Sequence, residues 1–369
     1  MDNYTSFANS KTGTIFIPDI SGFTHFINHT EISHSQHIIT ELLELIIKET
    51  GDLFLLSEIE GDAILFYKFI DKPDFDKITA LCINIFKKFH QHLKYYDRDR
   101  VCHCGACTST DSLSLKFIVH FGEFSIYQVG GYSKLLGKDV ILAHRLLKNG
   151  IGQNEYLLFS DDFIKASCLP DIKIFDMMVM REIMEGLEPT VFYYRILSDL
   201  KSEITEPPSR NIVNLPDIKA KSAIDIKYGY QELILALTEP DKRLKWMRNL
   251  KKITLKEHKI NRVSTSHECL IGGNQIEIKI EQLEDDEKDV KLIERAHMKS
   301  PNIDFIILYH LEKTGRNQTR ISIGNHFYPS PIWYIRLIIV PIFSLILKME
   351  NRLNMKRLKK YMEAVHHVV

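Results

Sequence analysis

A chain of 369 residues exceeds one ordinary domain, so two are expected, each large enough to bury its own core. Forty-eight basic residues balance forty-eight acidic ones, which removes the whole-chain electrostatic case for a nucleic-acid partner. The six cysteines lack the spacing of a secreted disulfide scaffold and the polar start "MDNYTSFANSKTG" lacks a secretory apolar core, so a reducing, cytoplasmic setting is expected.

In chain order, "GTIFIPDI" reads as a strand. "SHSQHIITELLELIIKETG" reads as an amphipathic helix, capped near Ser33 or Ser35 and stopped at Gly51. "DLFLLSEIEG" and "DAILFYKFI" form a hairpin across Glu60-Gly61-Asp62, where the glycine supplies the positive φ of a tight turn. A long helix from about Pro73 to Tyr96 comes next, then a strand pair within "LSLKFIVHFGEFSIYQV", a helix over "KDVILAHRLLKNG", and strands at "EYLLFS" and "TVFYYRIL". The order β-α-β-β-α-β is the ferredoxin-like plan.

"LKSEITEPPSRNIVNLPDIKA", with Pro207, Pro208 and Pro216, interrupts both periodicities and predicts the boundary. The expected division is a first domain over 1–200, a linker over 201–217 and a second domain over 218–369. The second opens on the helical "YGYQELILALTEPDKRLKWM" and continues through six strand-like runs to a long final helix. That pattern predicts an α+β domain in which an antiparallel sheet wraps the last helix around an apolar cavity. "IWYIRLIIVPIFSLIL" (Ile332 to Leu347) carries Arg336 and Pro341 and is short for a membrane span. It reads as a buried terminal helix; the alternative is a helix on a membrane surface, since "KMENRLNMKRLKK" follows it.

The chemistry centres on carboxylates. Asp19 ends an apolar run just before Ser21-Gly22-Phe23, and Asp62 lies in the hairpin turn; if the first strand pairs between the two hairpin strands, the two converge as a Mg²⁺ (or Mn²⁺) pair. The amides of Ile20, Ser21, Gly22 and Phe23, leading into a helix, would then cradle a phosphate tail. Taken singly, Asp19 reads as a strand terminator and Asp62 as a turn aspartate.

"FIPDISGFTHF", "EIEGDAILFY", "GKDVILAHRLL" and the closing "EGLEPTVFYYRIL" resemble, in order and spacing, the catalytic domain of the class III adenylate and guanylate cyclases over residues 10 to 198. The resemblance implies metal binding by Asp19 and Asp62, transition-state charge stabilisation by Arg145, and a head-to-tail homodimer in which the carboxylates of one subunit face Arg145 of the other. It implies an asparagine for the ribose four residues before the arginine, where this chain has Ile141, which cannot hydrogen-bond; His144 is a candidate substitute. It also assigns base recognition to Glu58 and Lys134, whose charge order departs from the adenylate-type lysine and aspartate. A carboxylate accepting from N1–H and the exocyclic amine, with an ammonium donating to O6, favours guanine over adenine, and uracil fits almost as well. Without a nucleotide, the same two residues read as a salt bridge across an empty cleft.

"CHCGAC" places Cys102, Cys104 and Cys107 beside His103. Three readings stay open: a Zn²⁺ site with His120 as a further ligand, three reduced thiols, or a redox sensor. His25, His29, His34 and His37 read as surface or interface residues, and Trp246, Tyr309 and Phe327 as core or cavity lining. From about Lys221 onward the chain looks like the START-like helix-grip superfamily, through its strand plan, last helix and "EPDKRLKWMRNLKKI". That resemblance implies a hydrophobic small molecule or lipid as ligand and a sensor role. The combined expectation is a bacterial-type nucleotidyl cyclase acting on a nucleoside triphosphate. The alternatives are a pseudo-cyclase that binds a nucleotide or signal without turnover, or a hydrophobic-ligand binder whose first domain only dimerises.

Overall fold

The computed structural model describes residues 10–28, 32–99, 109–168, 176–183, 189–208, 218, 222–255, 263, 265–286, 288–315 and 317–365. The chain divides into two compact units, Met1–Tyr95 with Thr108–Pro207 and Tyr96–Cys107 with Pro208–Val369. Cys102, Cys104, Cys107, His29 and the side chain of His34 lie outside the described residues.

In the first unit β1 (Lys11–Ser21), α1 (Phe23–Asn28), α2 (Ile32–Thr50), β2 (Leu55–Glu60), β3 (Ala63–Phe69), α3 (Phe75–Asp99) and β4 (Ser114–Val129) follow in order. Then come β5 (Tyr132–Leu136), α4 (Lys138–Leu146), β6 (Tyr156–Ser160), α5 (Asp161–Ala166), β7 (Met178–Glu182) and β8 (Thr190–Ile196). The sheet order is β2-β3-β1-β4-β6-β8-β7, with β5 attached to β4. Its first four strands, with the α2 and α3 crossovers, make a ferredoxin-like β-α-β-β-α-β core.

Two expectations are corrected. The first strand does not pair between the hairpin strands: β1 lies between β3 and β4, antiparallel to both. "LSLKFIVHFGEFSIYQV" is one 16-residue strand rather than a pair, and its second half turns back on β5. Gly130 and Gly131, both at positive φ, make that turn, whereas Gly122 inside the run stays in extended strand.

β1 is buried on both faces, as a central strand must be, and its side chains alternate. Phe16 stacks on Phe66 and Phe117 (ring centroids 5.8 and 6.0 Å). Ile15 and Ile17 join Ile118, Val140, Ala143 and Leu146 in the core under α4. By the same period of two, Asp19 leaves β1 on the α4 side, and so does Lys116 two residues before Ile118 on β4.

The second unit begins with β9 (Ser222–Ile226), α6 (Tyr230–Thr238) and α7 (Pro240–Trp246). A meander follows: β10 (Leu250–Leu255), β11 (Ser266–Ile271), β12 (Asn274–Asp285), β13 (Asp289–Met298), β14 (Ile303–Gly315) and β15 (Gln318–Phe327), with β9 on the far edge beside β15. After a π-helical turn at Ile335–Ile339 comes α8 (Val340–Val365). Gly272 and Gly273, at φ 58° and 92°, make the two-residue turn between β11 and β12.

The expected apolar cavity is present, about 190 Å³, lined by residues that include Trp246, Ile278, Tyr309, Phe343 and Leu347. Phe327 instead packs on Phe305 and Phe343 at 5.4 and 5.9 Å. The expected burial of Ile332 to Leu347 is corrected: Ile335 is buried, but Trp333, Leu337, Ile342 and Leu345 are exposed. A run with only Arg336 and Ser344 as polar side chains has no polar face to mark which side the sheet can cover.

Unlike the largely apolar core around it, the centre of this unit holds a charge pair. Arg243 Nη1 and Nη2 donate to Glu294 Oε1 and Oε2 at 2.8 and 2.7 Å, and Nη2 also reaches the Tyr309 hydroxyl at 3.1 Å; both charged residues are fully buried. The pair offsets its desolvation only while intact, so Glu294→Gln is expected to cost about 3–5 kcal/mol in urea unfolding.

His267 lies in the same core with neither ring nitrogen hydrogen-bonded, and burial, helped by Arg243, lowers its pKa from 6.5 to about 4. A depressed pKa makes its contribution to stability complete above pH 6.5 and lost as pH falls toward 4, with a slope of up to about 1.4 kcal/mol per pH unit. Denaturant midpoints measured across that range should fall in the parent protein and flatten in His267→Leu.

Candidate active site

Four stretches of the first unit meet at one cleft of about 650 Å³, lined by Asp19, Asp62, Lys116, Ile141, His144 and Arg145 among others. The register explains the convergence. Asp19 sits opposite Ala63 on β3 and opposite Lys116 on β4. The ladder to β3 skips Ile17 and Pro18, where proline lacks an N–H to donate, and resumes at Asp19. The hairpin turn then docks on β1: Ile20 N–H donates to Asp62 O at 3.1 Å. Gly61, at φ 64°, permits the turn that carries Asp62 to that point.

α4 supplies the opposite wall. Val140, Ala143 and Leu146 bury its inner face, which turns Ile141 and Arg145, one helical turn apart, toward the cleft. Asp139 anchors the helix start: its Oδ2 accepts from Glu123 N–H at 2.7 Å, and its Oδ1 lies 3.4 Å from Nε2 of the buried His120. Burial opposes the charge on Asp139, but the contacts from His120 and Glu123 hold its pKa below the ordinary value. A Cβ on Gly122 would meet Asp139 Cγ at 2.3 Å, so only glycine lets helix and strand approach this closely. His120 Nδ1 lies 2.8 Å from Ser160 Oγ, while Nε2, with only Asp139 Oδ1 at 3.4 Å, has no hydrogen bond among the described residues; one of the open sequence readings makes this histidine a zinc ligand.

Lys116, missed in the sequence, is central to the site: its Nζ stands 2.8 Å from Asp19 Oδ2. A lone lysine in the buried strand "SLKFIVHF" was the signal available. Burial works against its charge, and Asp19 outweighs that effect, so its pKa lies above the ordinary value. Asp62 is pushed up as well, first by burial and then by the Asp19 carboxylate, while its backbone hydrogen bond and Lys116 pull it back. Arg145 makes no ion pair among the described residues and is free to meet an anion. His144 Nδ1 stands 3.8 Å from Glu60 Oε2.

The other predicted residues lie elsewhere. Glu58 and Lys134 do meet, on β2 and β5, but as an ion pair of 2.7 Å. Ile20 and Ser21 belong to β1, opposite Leu115 and Ser114. The expected cradle of four amides is therefore corrected, because Ile20 N–H is committed to Asp62. Gly22, at φ 85° with Ser112 O 2.4 Å from the position of a Cβ, turns the chain into α1, where Phe23 is the first residue.

Two carboxylates and no third acid, histidine or cysteine grouped with them among the described residues do not make a closed metal cage. Carboxylate oxygens are donors that a hard divalent cation accepts while keeping waters, and one of them, Asp19 Oδ2, already stands 2.8 Å from Lys116 Nζ.

Residues 39–156 match the family described as "Protein of unknown function (DUF2652)". An uncharacterized protein of Mycobacterium tuberculosis (Rv2561/Rv2562) is 32% identical over 136 residues, which cover 36% of this chain. The chain spans 61% of the length of that relative. Among solved structures, the adenylyl cyclase CyaB from P. aeruginosa is similar at 16% identity and a TM-score of 0.39, over 51% of this chain and 94% of its own. The guanylyl cyclase Cya2 is similar at 14% identity and 0.39, over 51% and 93%.

The raised Asp62 pKa means that its ionised form is less favourable in the folded than in the unfolded chain. Asp62→Asn is therefore expected to raise the urea midpoint at pH 7, and the gain should shrink as pH falls through the Asp62 titration.

Proposed function

We propose that the first unit is a nucleotidyl-cyclase-type site that converts a nucleoside triphosphate, GTP in preference to ATP, to a 3′,5′-cyclic nucleotide and pyrophosphate. The observation that carries this reading is the cleft itself: Asp19, Asp62 and Arg145 come from distant stretches and line one cavity. The motifs around them occur in the order of the class III cyclases.

Asp19 and Asp62 would hold Mg²⁺ or Mn²⁺, whose charge, when bound, neutralises the phosphates and polarises the reacting oxygens. Arg145 presents a planar, permanently charged fork to phosphate oxygens, a geometry that lysine lacks. Lys116 balances the charge of Asp19 and holds its carboxylate toward the cleft. Glu58 and Lys134 would exchange their ion pair for contacts to the guanine edge. The class III resemblance implies two copies head to tail, with Arg145 of each reaching the carboxylates of the other, although within one chain Arg145 already lines the cleft with Asp19 and Asp62; Val129, Tyr132 and Ile141 are exposed apolar residues that such a contact would cover.

The second unit, read as a START-like helix-grip domain, would report the presence of a hydrophobic small molecule or lipid in its cavity. A hydrophobic-ligand carrier whose first unit only dimerises is the related alternative, and the cavity is what favours it.

Retained binding without turnover is a further reading, and Ile141 favours it. Its exposed side chain lines the cleft and offers no hydrogen bond to a ribose. Incubation of the full chain with each of the four nucleoside triphosphates and Mg²⁺ or Mn²⁺ separates the two. Cyclic product that Asp19→Ala and Asp62→Ala reduce by about a thousandfold or more is the expected result. Calorimetric binding with no product from any nucleotide would overturn the cyclase reading and leave the binding module.

A further inference from the structure

The face that α8 and its leading turn present to solvent is apolar where a surface helix is ordinarily polar. Trp333, Leu337, Ile342, Leu345 and Met349 are 56–64% exposed. From the turn into α8, Ile338, Ile342, Leu345 and Met349 recur every three or four residues, which sets them in one stripe. The opposite face is spent: Met355, Leu358 and Met362 are buried in the core of the unit.

Charge on the apolar part of this element has one sign, and the exposed Glu363 lies near its far end. No acidic residue occurs from Ile332 to Met349, while Arg336 and Lys348 flank the stripe and Arg352, Lys356 and Lys360 continue it as exposed cations. The nearest acid, Glu350, is half-buried and turned to its own unit, with Oε1 3.5 Å from both Arg248 Nη1 and Asn249 Nδ2. Trp333 and Tyr334, rings 6.0 Å apart and edge-on, sit at one end as side chains with apolar bodies and polar tips.

We propose that this face docks on a bilayer surface containing anionic lipid, with α8 lying in the plane of the interface. The apolar stripe would enter the boundary between headgroups and acyl chains, the cations would meet lipid phosphates and carboxylates, and the aromatic pair would sit at headgroup level. No helix among the described residues is long and apolar enough to cross a membrane, so contact is peripheral. A second copy fits the face less well: a two-fold pairing of the stripes would set Arg336 and Lys348 against a surface that carries no acid from Ile332 to Met349. The same helix also walls the apolar cavity through Phe343, Ile346 and Leu347, and Ile346 is half-exposed on the outside. Docking would thus place the cavity wall directly at the lipid. The inference is independent of what the first unit binds.

The test is flotation of the full chain with phosphatidylcholine vesicles, with and without phosphatidylserine, beside the sedimentation state without lipid. The expected result is recovery with the anionic vesicles that falls at least about tenfold in high salt, in Lys348→Glu/Arg352→Glu and in Leu345→Glu. These are exposed positions, and an unchanged melting temperature would show that the variants fold. Because Trp246 is buried and Trp333 exposed, a blue shift of emission on adding anionic vesicles, lost in Trp333→Phe, is the second expected signal. No recovery with any vesicle would overturn the proposal. So would equal recovery with neutral and anionic vesicles unaffected by charge reversal, or a lipid-free dimer that Leu345→Glu dissociates.

Discussion

The first unit depends on the seating of β1 between β3 and β4. An antiparallel pairing has a period of two, so a one-residue slip would send Asp19 to the face of Phe16, away from α4. In the register observed, the same alternation that buries Ile15 and Ile17 under α4 delivers Asp19 and Lys116 to the same side. Pro18 interrupts the ladder just before Asp19, and the hairpin turn closes the gap through Ile20 N–H and Asp62 O. Packing and chemistry are here one constraint.

The electrostatics of the cleft follow from that seating. Two carboxylates brought together at a partly buried place repel, and the protein answers with Lys116 beside Asp19 while Asp62 stays above its ordinary pKa. Opposite them Arg145 has no described ion partner. A cleft that keeps Asp62 and Arg145 without an ion pair among the described residues is poorly optimised for stability. The second unit resolves its buried charge differently, with Arg243 and Glu294 satisfying each other bidentately. That arrangement pairs both charges within the core, leaves Arg243 Nε as a donor without a hydrogen bond among the described residues, and reads as structural.

Much was legible in the residues alone. The apolar run of β1, the Gly61 turn and the buried stripe of α4 are local patterns, each specified by side chains within one or two turns of chain. They sufficed for the ferredoxin-like order and for pairing Asp19 with Asp62; Arg145 joined them only through the resemblance to the class III cyclases. Less legible were partners between strands: Lys116 read as one cation in a strand, and nothing near it in sequence names Asp19. The anchoring of α4 by Asp139, His120 and Gly122 was hidden for the same reason.

By itself the sequence determined which elements form and which chemical groups they carry, because hydrophobic period, turn glycines and prolines act over a few residues. Only the tertiary structure decided that β1 lies outside the hairpin, that Glu58 and Lys134 face each other as an ion pair, and that one side of the final apolar run remains in water. Each of these depends on which distant surfaces meet. The side chains of Ile332 to Leu347 are apolar nearly throughout, so the choice between core and exterior was made by the area that one sheet could cover.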